Sequence, residues 1–275
     1  MTMLTRLLLA AVLLLSLLTP VRASEGVLTF GVFPFNSALT LVRTHQPLRD
    51  HLAEVLQRPV QLYSAPDYAG FIDELAAARF DFVIVPPHFA VFAHQRGYQP
   101  LATYANELEF VLILGPGVDE DLRGKRVGVP DRLTIASIAA LRWLEERGLK
   151  AGVDYQLHDY STHGAAAAAV ALGDAAAAVV AASALRQTPA DVRQGVRVSA
   201  VVGRFPSLVT MVHERFGPDM HVRSSAALMA FPDSERGRQF FGGTHYGGYR
   251  AADLSVLRDL EPYWEIARRL MAEQR

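Results

Sequence analysis

Cysteine is absent from this 275-residue chain. That excludes disulfide scaffolds, thiolate zinc sites, iron–sulfur clusters and cysteine nucleophiles, and with them a lipid-modified cysteine at a processed N-terminus. A basic excess is absent too. The 27 Lys and Arg face 28 Asp and Glu, a formal charge of -1, so the chain lacks the electrostatic footprint of a nucleic-acid binder. Charged residues make up 20% against 51% hydrophobic residues, a balance that excludes an intrinsically disordered chain. Common enzyme signatures are also missing: no GxSxG elbow, no HExxH helix, no Walker loop with its Lys, no GxGxxG turn. Gly115-Pro116-Gly117 lacks a third glycine and reads as a turn. The pairs Gly242-Gly243 and Gly247-Gly248 enclose Thr244-His245-Tyr246 without a phosphate-binding Lys and read as a flexible loop. Nine histidines are present, but His45/His51 and His88/His94 are spaced six apart, on different helix faces, with no carboxylate cluster beside them. No metal site and no other cofactor is expected from that pattern.

What is present begins with a segment built for export. Arg6 precedes the uncharged apolar run Leu7–Leu18, and Pro20 and Val21-Arg22-Ala23 follow. A basic start, a short apolar stretch and a small residue before a cut are the parts of a secretory signal. The run is well short of the roughly 20 residues that span a bilayer. Residues 1–23 are therefore expected to be cleaved after Ala23, taking Arg6 and Arg22 away and moving the formal charge from -1 to -3. A soluble mature protein in a bacterial periplasm follows.

The remainder alternates short β-type runs with helical patterns, the mark of an α/β fold with parallel sheets. Strands are expected at 27–32, 59–63, 81–85 and 99–104. Helices are expected from Pro47, with Leu48, Leu52, Val55 and Leu56 on one face, then at 67–78 and 88–96. This βαβαβαβ unit would form half of a doubly wound sheet. A second unit starts near Phe110, with strands at 125–129, 155–160, 175–180, 196–202 and 208–213. A helix at 134–147 and an Ala-rich helix capped by Thr162-His163-Gly164 lie between them. The last 60 or so residues read as helical with one Gly-rich break, and the final helix carries the stripe Leu257, Leu260, Trp264, Ala267 and Leu270. Two α/β units without a long linker predict two lobes around a small-molecule cleft.

Three strand-to-helix junctions suit an anion. Asp131–Ser137 offers free backbone N–H groups at a helix start, with hydroxyls on Thr134 and Ser137. Thr162-His163-Gly164 adds His163 as a donor. Pro86-Pro87-His88 places His88 at a third junction. All three fall at the carboxyl edge of a sheet, where open α/β folds bind ligands.

These segments also carry a resemblance. Ser64-Ala65-Pro66-Asp67-Tyr68-Ala69-Gly70-Phe71 is similar to the APDYAG segment of the periplasmic phosphate/phosphite/phosphonate-binding proteins of ABC transporters. Phe30–Pro34 and Gln46–Leu52 resemble that family's first strand and helix, Phe80–Ile84 its G-x-V-D-I-A strand, and Leu122–Val127 its DLKGK-x-V signature. Gly173-Asp174-Ala175 and Gly247-Gly248-Tyr249 fit later landmarks. The resemblance implies a type II periplasmic binding fold, with two lobes joined by a hinge of two crossover strands. Lobe one would be residues 24–107 plus 204–275, and lobe two 108–203. It implies that Tyr68 contacts the ligand, that the family's S-T-S-G anion turn falls on Thr134-Ile135-Ala136-Ser137, and that its ligand histidine is His163. Two hydroxyls of that turn are replaced, so Ile135 and Ala136 would act through backbone N–H. The stretch Ala181-Ala182-Ser183-Ala184 carries no acid for the ammonium of aminoethylphosphonate. His88 would line the opposite wall.

The function expected is capture of a small oxyanion, phosphonate- or phosphite-like, for an ABC permease, by a monomer performing no chemistry. A ligand sensor docking on a sensor-kinase ectodomain, or an enzyme on the same fold, are the alternatives the sequence leaves open.

Overall fold

The computed structural model describes residues 26–35, 38–252 and 254–273. The expected export segment, 1–23, lies outside the described residues. No helix among them is long and apolar enough to cross a membrane.

Two sheets organise the chain. The first contains β1 (Leu28–Val32), β2 (Val60–Tyr63), β3 (Phe82–Val85), β4 (Tyr98–Tyr104), β10 (Val209–His213) and β11 (Tyr249–Ala251), in the order β11-β4-β10-β3-β1-β2. The second contains β5 (Leu108–Leu114), β6 (Arg126–Pro130), β7 (Gln156–Tyr160), β8 (Ala177–Ala181) and β9 (Arg197–Phe205), in the order β7-β6-β8-β5-β9. β1, β2 and β3 are parallel, as are β6, β7 and β8. Helices α1 (Ala38–Leu56), α2 (Tyr68–Ala76) and α3 (Pro87–His94) belong to the first unit. Then come α4 (Ile135–Glu145), α5 (His163–Ala171), α6 (Ala182–Gln187) and α7 (Ala190–Gln194). The C-terminal part adds α8 (Gly217–Ala230), α9 (Glu235–Thr244), α10 (Ser255–Arg258) and α11 (Glu261–Glu273).

Three departures from the expected layout have physical causes. β10 inserts between β3 and β4, antiparallel to both, so the first βαβαβαβ unit is not an uninterrupted half-sheet. Its inward residues are buried on both faces, and local periodicity does not say which strand will be its neighbour. Pro47 does not open α1 but sits inside it. It removes one backbone donor there, yet Leu41, His45, Leu48, Leu52 and Leu56 form one buried stripe across it, while Val55 is exposed. The Gly-rich break is a structured turn. α9 ends on the left-handed His245, and β11 pairs with β4 immediately after.

The chain passes between the sheets twice, at 105–107 and 206–208, and these passages lie side by side. Thr103 Oγ1 donates to the carbonyls of Ser207 and Leu208 at 3.3 and 3.2 Å. The Gly-rich turn binds the first passage through Ala105 N to Gly248 O at 2.9 Å, Asn106 N to Tyr246 O at 3.0 Å, and Asn106 Nδ2 to His245 O at 2.7 Å. Gly247 has φ +77°, and a Cβ there would stand 2.4 Å from the Asn106 side chain, so only glycine fits.

The final helix packs on both halves. Trp264 stacks on Phe92 at 4.8 Å and meets Phe89 edge-on at 5.9 Å, while Tyr263 meets Phe205 at 5.1 Å and carries the Arg142 guanidinium 5.2 Å above its ring. Truncating Trp264, which is 3% exposed, leaves a large void. Trp264→Ala is expected to lower unfolding free energy by about 3–5 kcal/mol, read as a lower urea midpoint at unchanged slope; a midpoint within error of the parent would contradict this packing role.

Candidate ligand-binding site

The parallel strands of both sheets direct their carboxyl ends toward a common cavity of about 130 Å³ beside the two passages. Leu108 and Leu208 line it from the passages themselves. The first sheet contributes Phe33 and Phe35 after β1, Pro86 after β3, and Tyr68 as the first residue of α2; Tyr246 enters from the Gly-rich turn. The second contributes Phe110 of β5, Thr134, Ile135 and Ala136 after β6, His163 after β7, and Ala181, Ser183 and Ala184 after β8.

The segment from Pro130 to Ser137 is held by its own polar groups. Thr134 caps α4, its Oγ1 accepting from Ser137 N at 3.1 Å. Ser137 Oγ donates to the carbonyls of Pro130 and Asp131 at 2.8 and 2.9 Å and sits 2.8 Å from Thr134 Oγ1. Asp131 Oδ1 accepts from Leu133 N at 2.8 Å. The N–H groups of Ile135 and Ala136 have no protein acceptor among the described residues, and both residues line the cavity. Two unpaired donors at the positive end of a helix have the chemistry that suits an anion.

Two expected site residues are not on the cavity wall. Ser137 is fully buried, and its hydroxyl is committed to the turn. His88 is also fully buried; its Nε2–H donates to Leu133 O at 2.8 Å, so a residue of the first unit grips the anion turn of the second. Both act behind the turn because its carbonyls, rather than a ligand, present the partners they need.

His163 takes a defined tautomer. Its Nδ1 accepts from Ala181 N at 3.1 Å, which places the ring proton on Nε2. Its ring lies nearly parallel to Phe110 at 6.3 Å. Burial pushes its pKa down to about 4, so the ring is a neutral N–H donor near pH 7. Tyr68 packs against Phe33 at 4.7 Å, and burial, assisted by the Asp131 charge, holds its phenol well above the ordinary value. Burial raises the Tyr246 phenol to about 12, and this ring stacks on Tyr104 at 4.2 Å. No Lys, Arg, Asp or Glu stands among the lining residues.

Sequence reasoning reached Tyr68, Thr134, Ile135, Ala136 and His163 but passed over Phe33, Phe35, Phe110 and Tyr246. The aromatic pair flanking Pro34 directly after β1 was the available signal. Tyr246 was concealed because its loop was expected to be flexible.

Two α/β units joined by paired passages, with a cavity at their carboxyl edges, define a type II binding-protein architecture. The sequence profile of a family described as "ABC transporter, phosphonate, periplasmic substrate-binding protein" matches residues 30–257. The chain belongs to this family of periplasmic substrate-binding proteins. PhnD1 of Prochlorococcus marinus in complex with methylphosphonate is similar, with TM-score 0.78, 13% identity, and coverage of 89% of this chain and 98% of that one. A binding protein component of an ABC phosphonate transporter from Pseudomonas aeruginosa has TM-score 0.75 and 16% identity, covering 88% of each chain. The periplasmic aliphatic sulphonate binding protein SsuA of Escherichia coli has TM-score 0.60 and 15% identity, covering 90% of this chain and 94% of that one.

Three buried rings link this architecture to pH. His45, His88 and His163 are each held near pKa 4 by burial, below the ordinary 6.5. Between those values the unfolded chain binds protons that the folded chain refuses, so stability falls as pH drops from about 6.5 toward 4. Urea midpoints at pH 7, 6, 5 and 4.5 should decline through this window, less steeply in His88→Leu; a level profile in the parent would contradict neutral burial.

Proposed function

We propose that this chain captures a small oxyanion in the periplasm and delivers it to an ABC permease, without chemical turnover. One observation carries the reading: the free N–H groups of Ile135 and Ala136 belong to residues that line one cavity together with His163, whose ring proton sits on Nε2. Thr134 stands at the same rim with its hydroxyl engaged by Ser137, and Tyr68 lines the cavity as well. Residues 24–107 with 204–275 would form one lobe and 108–203 the other, rotating about the paired passages as the ligand is enclosed. Cleavage after Ala23 would release a monomer into the periplasm. An alkylphosphonate or phosphite suits the cavity better than aminoethylphosphonate, because no carboxylate lines it to receive an ammonium group.

Thermal unfolding of the purified protein against phosphite, methylphosphonate, aminoethylphosphonate, phosphate, sulfate and carboxylates tests this directly. A true ligand at 100 times its dissociation constant adds about 2.7 kcal/mol of stability. Thr134→Val should weaken binding of that ligand by about 1–3 kcal/mol if the hydroxyl meets the anion. A flat response to every oxyanion would overturn the reading, and undiminished affinity in Thr134→Val would remove that residue from the site.

A further inference from the structure

The cavity binds its ligand without a formal counter-charge, and that limits which ligand it can hold. All its lining side chains are neutral at pH 7: aromatic rings on several sides, small residues at 181 and 184, and the hydroxyl, imidazole and amide donors already described. Attraction for an anion therefore comes from helix ends. α4 and α5 both begin on the wall, at Ile135 and His163, and each start is equivalent to about +0.5 charge. The six-residue α6 also begins there, at Ala182, while two further starts in this region add little. α2 is capped by the Asp67 carboxylate, whose Oδ1 accepts from Gly70 N at 2.8 Å, and α3 opens with Pro86 and Pro87, which carry no N–H.

The charges just outside are mostly negative. Asp131 lies in the anion turn, partly buried, and its own carboxyl is raised above the ordinary value by burial and then by Asp159 and Asp67. Arg132, the one cation there, is paired with Asp159. A second negative charge on a ligand would meet three carboxylates, Asp131, Asp159 and Asp67, against one cation, Arg132, already paired with Asp159, in surroundings less polarisable than water.

We propose that this site selects by charge state, accepting a singly charged oxyanion with an apolar substituent and rejecting dianions. Alkylsulfonates and the monoanions of alkylphosphonates share that chemistry, with the oxygens on the Ile135 and Ala136 N–H groups and the alkyl group among Phe33, Phe35 and Tyr246. This deepens the oxyanion-binding reading and rests on it.

Calorimetric titration of the purified protein with ethanesulfonate, ethylphosphonate and inorganic phosphate, at pH 6 and pH 8 and fixed ionic strength, decides it. A sulfonate carries one charge at both pH values, whereas a phosphonate passes from monoanion toward dianion between them. Of the groups facing the ligand, His163 stays neutral across this range and burial raises Tyr68 and Tyr246 away from it. Ethanesulfonate affinity should be level. Ethylphosphonate, about half dianion at pH 8, should bind about twofold more weakly there than at pH 6, since apparent affinity scales with the competent fraction. Phosphate should be the poorest of the three. Ser183→Lys places a cation on the wall and should reverse the phosphonate slope while ethanesulfonate still binds, which also shows that the variant is folded. Tighter phosphonate binding at pH 8 in the parent, with ethanesulfonate ignored, would overturn charge-state selection and leave the oxyanion reading intact. Failure of all three to bind at either pH would overturn both.

Discussion

Two backbone N–H groups, at Ile135 and Ala136, are buried against a cavity and left without acceptors, and much of the site depends on keeping them so. Such donors are costly when orphaned, so a relaxed chain would turn them toward any nearby carbonyl. The surrounding residues prevent it. Thr134 and Ser137 satisfy each other and the local carbonyls, Asp131 takes Leu133 N, and His88 takes Leu133 O from the other unit. The carbonyls of Pro130, Asp131 and Leu133 are thus already engaged, and a ligand oxygen would be a partner for the two donors. The donors are thereby preorganised, which reduces the ordering an incoming anion must impose.

His88 also ties the anion turn to the rest of the molecule. Its bond to Leu133 runs from the first α/β unit to the second, on the side where Phe89 and Phe92 pack against Trp264. Tyr263 on the same helix rests against Phe205 of β9, and Arg142 of α4 lies over its ring. The last helix and the His88 contact therefore join the two units at one flank, while the paired passages join them beside the cavity. A movement that opened the cavity would have to pivot near these contacts, because shearing them would expose the aromatic cluster and break a buried hydrogen bond.

The order of elements was legible because burial imposes its period on each segment separately. Asp67, Thr134 and Thr162 announced helix starts through their capping chemistry, and all three accept from an N–H in the first turn. The insertion of β10 between β3 and β4 was not legible. Strand neighbours are chosen by non-local packing, and β10 is separated from β3 by more than a hundred residues of chain. The site divided along the same line. Thr134 and His163, marked by local chemistry, line the cavity, whereas Phe110 and Tyr246 reach it only through tertiary arrangement. The roles of His88 and Ser137 differed from expectation for a related reason: a polar side chain near an anion turn can serve the turn's carbonyls as readily as the anion.

The uncharged wall has a consequence for delivery as well as for capture. A ligand neutralised by Arg or Lys gains a strong charge-assisted contact that must be broken before release. Here the oxygens would be held by peptide dipoles and a neutral imidazole, contacts whose strength depends on low dielectric and on exclusion of water. Admitting water to the cavity weakens all of them together, since each donor can then be solvated. Opening would therefore loosen the whole set of contacts at once. For a protein that must hold its ligand while closed and surrender it when open, dipolar binding couples affinity to closure more tightly than a fixed cation would.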